Sequence, residues 1–168
     1  MRLFLAVRLS ADMKDTLIGI QNKWYDAGIR GNYIPEENLH MTLVFIGEYT
    51  DEDPVMDALA GVSFTPFPIT LEGTGCFGDL WWAGMKDSAP LEAVVRRIRR
   101  ALSEKDIPFD RKRFRAHITL LRKATGAMPG IRPEPASMTV ETISLMRSDR
   151  GRTGMIYTEI GTLEAEEL

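Results

Sequence analysis

Cysteine is almost absent: Cys76 stands alone in 168 residues, which excludes an internal disulfide framework and a zinc site built from several cysteines. Histidine is nearly as scarce, so chemistry that needs imidazole has only His40 and His117 to draw on. Long apolar runs are missing too. Stretches such as residues 3–7 fall far below the roughly 18 residues of a membrane-crossing helix. Arg8 ends that opening run and no small-residue cleavage site follows, so it does not read as a secretion signal. A soluble, cytoplasmic protein without a membrane anchor is expected.

With 44% hydrophobic and 27% charged residues, the composition is that of a globular protein and excludes a disordered or collagen-like chain. One domain over residues 1–168 is expected, since this length buries a core without covalent staples. The net charge of −3 hides a division. Residues 1–88 hold 6 Lys/Arg against 13 Asp/Glu, whereas residues 96–123 hold 11 basic and 3 acidic residues. Such a local positive field attracts phosphates even on an acidic protein. The same arginines, Arg96, Arg97, Arg99 and Arg100, also suit the solvated face of a helix.

Periodicity sets the elements. Residues 2–9 read as a strand, and Ser10 caps a helix over 11–27 whose apolar stripe is Met13, Leu17, Ile20, Trp24 and Ala27. Residues 39–46 read as a strand ended by Gly47, and 51–60 as a short helix. Strands at 69–72 and 80–84 are joined by a glycine-rich turn; a helix on Leu91, Val94, Val95, Ile98 and Leu102 follows. Strands at 115–121, 138–146 and 155–160 complete the chain, with 147–154 as a loop between the last two. The order predicts an α+β fold.

One short element recurs. His40-Met41-Thr42-Leu43 and His117-Ile118-Thr119-Leu120 together contain every histidine in the chain. With 13 Thr and 16 Leu available, both matches arise by chance about once in 20,000, treating positions as independent. In a strand, residues i and i+2 share a face, so each histidine points the same way as its threonine, roughly 6–7 Å along. Facing one cleft, the two strands would present two imidazoles and two hydroxyls. Imidazole titrates near pH 6.5, so one ring can take a proton from water while the other gives one to a leaving alkoxide. The threonine hydroxyls can donate to non-bridging phosphate oxygens, where charge must be held. That scheme requires no metal and no cofactor.

At these residues the sequence resembles the 2H phosphoesterase superfamily, and within it the RNA 2′,3′-cyclic phosphodiesterases formerly called 2′-5′ RNA ligases. The resemblance runs through residues 1–9, Pro35-Glu36-Glu37-Asn38 into the first motif and on to Glu48, residues 114–122, and a closing segment with Leu145-Met146-Arg147-Ser148, Gly154 and Tyr157. It implies a bilobal α+β fold of two pseudo-symmetric lobes, with two antiparallel sheets and flanking helices around a central cleft. It implies hydrolysis of RNA 2′,3′-cyclic phosphate ends to 2′-phosphates, with weak reversible 2′-5′ ligation, by a monomer without an obligate protein partner. His40 would be the acid for the 3′ oxygen and His117 the base for water. Thr42, Thr119 and Arg122 would bind phosphate, and Phe45 would stack the terminal base.

Two features strain the pattern. Arg122 and Phe45 each lie five residues after their histidine, on the opposite face of an ideal strand, so a bulge or strand end must turn them inward. Ala116 stands where the family has proline, which removes no reacting group.

Other signals carry less. Gly73, Gly75 and Gly78 have dinucleotide-loop spacing, but strand-like Leu80 to Ala83 follow where that loop needs a helix. Asp51, Glu52 and Asp53 suit a helix start better than a metal. Cys76 has no base beside it and is expected to be structural; of Trp81 and Trp82, at most one can face a cleft. Two alternatives stay open: an RNA-end-binding module with little catalysis, and a phosphodiesterase for 2′-5′ oligonucleotides or small cyclic phosphates.

Overall fold

The computed structural model describes residues 1–167. It opens with β1 (Arg2–Arg8), α1 (Ala11–Asp26), β2 (Arg30–Tyr33), a single 3₁₀ turn (Glu36–Asn38) and β3 (His40–Glu48). Next come α2 (Asp53–Leu59), β4 (Phe67–Phe77), β5 (Leu80–Met85) and α3 (Ala89–Glu104). β6 (His117–Thr125), β7 (Ser137–Val140), β8 (Thr142–Arg150) and β9 (Met155–Glu164) follow. The strands form two sheets, one in the order β3-β1-β8-β9 and the other β2-β6-β5-β4-β7, and every pairing in both is antiparallel.

The helices form where the chain offers caps and an apolar stripe. Ser10 Oγ accepts from Met13 N at 3.2 Å and Ser88 Oγ from Leu91 N at 3.3 Å, each satisfying an amide that the first turn leaves free. Met13, Leu17, Ile20 and Trp24 are buried as the stripe demands, and so are Leu91, Val94, Val95, Ile98 and Leu102. Ala27 is not in the stripe: it is the exposed C-cap of α1, and Gly28 follows at φ +88°. Trp24 stands edge-on to Trp81 at 5.2 Å, which locks α1 to the five-stranded sheet. Gln21 adds a polar tie, its buried amide donating to the carbonyls of Ile34 and Leu120 at 3.0 and 2.9 Å.

Several element boundaries differ from the sequence pattern, each for a local reason. Residues 138–146 are two strands: β7 pairs with β4, β8 pairs with β1 and β9, and the chain changes sheet at Glu141. The expected 147–154 loop shrinks to residues 151–154, because β8 and β9 continue as a ribbon to Arg150 and Met155. β6 starts at His117 and runs beyond Leu121 to Thr125 because β2, which has no strand-like alternation, supplies an antiparallel partner. Gly47 lies within β3, at a register slip against β1, instead of ending it. Gly73 and Gly75 belong to β4, and the turn is only Gly78-Asp79, so the dinucleotide-loop spacing is part of a hairpin.

Alternation splits the four-stranded sheet between two environments. Leu3, Leu5 and Val7 face the main core under the helices, whereas Phe4 and Ala6 join Met146 in a small separate cluster on the opposite face. Phe45 and Tyr157 pack against that second cluster. This opposite face is the floor of a cleft.

Candidate active site

The cleft has a volume of about 370 Å³, and His40, Thr42, His117 and Thr119 all line it. The repeated motifs thus meet across one cavity although 77 positions separate them. Phe45 and Arg122 line it as well. A bulge in each strand answers the parity problem. Leu5 and Ala6 of β1 oppose Val44 and Thr42, so β3 takes two steps where β1 takes one. Trp81 and Trp82 of β5 likewise oppose Leu121 and Thr119 of β6. Two consecutive residues are buried at each bulge, Leu43-Val44 and Leu120-Leu121, and the next side chain returns to the cleft.

Both imidazoles are held in the same way. Nδ1–H of His40 donates to the Asn38 carbonyl at 2.7 Å, and Nδ1–H of His117 donates to the Arg115 carbonyl at 2.6 Å. A carbonyl only accepts, so the proton sits on Nδ1 and Nε2 is the reactive nitrogen in each neutral ring. Aromatic rings bracket each histidine. His40 lies 5.1 Å from both Phe4 and Tyr157, and His117 lies 5.3 Å from Phe77 and 6.2 Å from Trp82. Asn38 is fixed in turn, its side-chain amide donating to the Met155 carbonyl at 2.9 Å.

The two rings are not equivalent. Nε2 of His40 accepts from the Thr42 hydroxyl at 2.9 Å in the neutral ring. Burial lowers the proton affinity of His40 below the usual imidazole value, and the charges of Arg122 and His117 push the same way against the Asn38 hydrogen bond. With those charges beside it, the neutral form of the His40 ring is favoured.

Electrostatics selects the kind of ligand. Arg2, Arg122 and Arg150 line the cleft, and no Asp or Glu does. A neighbouring cavity of about 430 Å³ shares Asn38, His40 and Tyr157, but its walls set Glu37, Glu141 and Glu159 against Arg8 and Lys14 and lack His117. An anion belongs in the first. Among the described residues no group of three or more His, Cys, Asp or Glu converges as a metal would require. Asp51 instead accepts from the Asp53 amide at 3.0 Å, beside the start of α2. Cys76 is a free, exposed thiol on β4.

Most of the basic stretch lies elsewhere. Arg96, Arg97 and Arg100 are exposed on α3, and of the basic residues in 96–123 only Arg122 joins the histidines in lining the cleft wall. Sequence reasoning missed Arg2, Phe4, Asn38, Arg150 and Trp82. Arg2 and Phe4 were legible as alternate positions of β1, but nothing local says which face of that strand meets a cleft. Trp81 is buried against Trp24 and Trp82 is the tryptophan beside His117.

Comparison with known proteins follows the same lines. The sequence model of the 2′-5′ RNA ligase superfamily matches residues 20–152. A Geobacillus stearothermophilus protein named RNA 2′,3′-cyclic phosphodiesterase is 29% identical over 153 residues, covering 83% of this chain and 49% of that protein. The chain therefore spans about half the length of that relative. A Thermus thermophilus protein of the same name is 32% identical over 176 residues, covering 94% of this chain and 87% of its own. Escherichia coli LigT in its apo form superposes with a TM-score of 0.89 at 26% identity, covering 99% of this chain and 98% of that one. No helix among the described residues is long and apolar enough to cross a membrane.

Proposed function

Because the chain belongs to the 2′-5′ RNA ligase superfamily, we propose that it hydrolyses 2′,3′-cyclic phosphate ends of RNA to 2′-phosphomonoesters, with its two histidines as acid and base and without metal or cofactor. Its α+β architecture of two antiparallel sheets is the 2H phosphoesterase fold, as in LigT. The observation that carries the proposal is the cleft itself: two Nδ1-anchored imidazoles, their two threonine hydroxyls and three arginines around a space free of carboxylates. The relatives named RNA 2′,3′-cyclic phosphodiesterase support the choice of RNA ends as substrate. We further take residues 1–168 to be one domain, a lobe for each sheet, acting as a monomer in the cytoplasm.

In this mechanism the terminal base stacks on Phe45 and the cyclic phosphodiester lies between the rings. Nε2 of His117 takes a proton from water as its oxygen bonds to phosphorus. The P–O3′ bond breaks, and Nε2 of His40 gives its proton to the departing 3′ oxygen. Thr42, Thr119 and Arg122 hold the non-bridging oxygens, where negative charge concentrates. In the empty cleft His40 is biased toward the neutral ring, so its acid role depends on the incoming phosphate anion raising its proton affinity. An RNA 5′-hydroxyl in the place of water would join the ends through a 2′-5′ bond with each ring in the same role, and the roles exchange only in the reverse direction, when that bond is cleaved back to the cyclic phosphate.

The test is hydrolysis of an RNA ending in a 2′,3′-cyclic phosphate with EDTA present, comparing wild type with folded His40→Ala and His117→Ala. Histidine-dependent release of a 2′-phosphate is the expected result. Equal activity in all three proteins refutes the mechanism, and tight salt-sensitive RNA binding without turnover would favour an RNA-end-binding module.

A further inference from the structure

Phe77 is one of three large hydrophobic side chains left exposed among the described residues, with 39% of its surface open. It ends β4 at the Gly78-Asp79 turn, outside the cleft wall but with its ring perpendicular to that of His117, 5.3 Å between centres at 82°. Trp82 braces it from the side at 5.3 Å. The Arg115 guanidinium sits over the ring, 5.8 Å from its centre. A partly exposed aromatic ring capped by an arginine and in contact with the reacting imidazole is the usual makeup of a surface that stacks an unpaired base.

The segment that carries Arg115 is fixed and cationic. The Asp110 amide donates to the Phe45 carbonyl at 2.8 Å, and Arg99 Nη2 donates to the Lys112 carbonyl at 2.7 Å. Arg111, Lys112, Arg113 and Arg115 are all exposed, and residues 111–116 contain no carboxylate. The Arg115 backbone also anchors Nδ1 of His117, so one residue serves both the reacting ring and the platform beside it. The cleft, at about 370 Å³, lies at the low end of the range for small ligands and takes a single nucleotide. The preceding nucleotide must lie outside it.

We infer that Phe77 and Arg115 form a second base-stacking subsite, which holds the nucleobase preceding the terminal nucleotide while the adjoining cations meet the RNA backbone. This rests on the phosphodiesterase reading of the cleft and extends it from the terminal phosphate to a two-nucleotide footprint.

The test uses three substrates with the same terminal 2′,3′-cyclic nucleotide: the mononucleotide, a dinucleotide with adenine before it, and a dinucleotide with an abasic residue before it. For wild type, the adenine dinucleotide should exceed the abasic one about tenfold in kcat/KM, the scale of one base on one aromatic ring. Phe77→Leu should bring that ratio close to one, Phe77→Trp should keep it, and Arg115→Ala should reduce it. A wild-type ratio of one overturns the subsite whatever the variants do. So does a Phe77→Leu variant that slows all three substrates equally, because the ring would then only brace His117. If wild type turns over none of the three, the phosphodiesterase reading itself fails, and the subsite with it.

Discussion

Gly75 offers a direct test of how the hairpin holds the active site. It lies opposite Trp82 across the β4–β5 ladder, and the indole lies flat over the space where a side chain would be. A Cβ built at Gly75 would meet Trp82 Cη2 at 2.4 Å, Cζ2 at 2.5 Å and Cζ3 at 3.0 Å. Ordinary carbon contacts are about 3.5–4.0 Å, so Gly75→Ala must push the ring away by about 1 Å. Trp82 has little room to yield, since Phe77 and His117 pack against it. Overpacking of this kind costs about 1–3 kcal/mol, and the backbone entropy gained by replacing glycine offsets roughly 0.5–1 kcal/mol. A net loss of about 1–2 kcal/mol corresponds to a melting point lowered by roughly 2–8 °C in a protein of this size. The assay is thermal unfolding of Gly75→Ala, Trp82→Leu and the double variant. In the Trp82→Leu background the alanine should cost nothing or stabilise slightly. An unchanged melting point for Gly75→Ala, or the same loss in both backgrounds, refutes the steric account. Turnover by Gly75→Ala should fall as well, because displacement of the indole reaches the ring of His117.

Three further outcomes are expected. NMR titration of His40 should give a pKa below 6.5, and Arg122→Ala should raise it, since removing a neighbouring cation favours the protonated ring; if His40 is the acid, the falling limb of kcat should also lie at higher pH than that of kcat/KM. Arg122→Ala should lower kcat/KM about tenfold or more with partial rescue by Arg122→Lys, as for loss of a charged hydrogen bond to phosphate, measured by steady-state hydrolysis of a cyclic-phosphate end. Gln21→Leu should cost roughly 1–3 kcal/mol in urea unfolding, because the Ile34 carbonyl loses the Gln21 amide donor, whereas the Leu120 carbonyl keeps the Ile34 amide.

The elements were legible where one local rule governs them. Ser10 and the Met13-Leu17-Ile20-Trp24 stripe specify α1 without help from the rest of the chain. The Glu141 crossover was not legible, because residues 138–146 are strand-like throughout and only the available partner edges divide them. β2 was missed for the opposite reason: Arg30–Tyr33 has no apolar alternation and becomes a strand because the edge of β6 accepts it. The bulges left a trace that could have been used. An apolar pair, Leu43-Val44 or Leu120-Leu121, follows each His-x-Thr, and two adjacent buried positions in a strand mark a reset of its alternation.

The sequence alone determined the reacting groups and their pairing with hydroxyls, because a histidine and a threonine two residues apart on a strand must share a face. It could not determine that the two strands meet, which depends on how two separate sheets pack. Nor could it set the inequality of the imidazoles, since that arises from burial and from arginine charge brought in from a distant strand. The reacting groups come from short-range geometry, whereas their distances, exposure and field are summed over the whole fold.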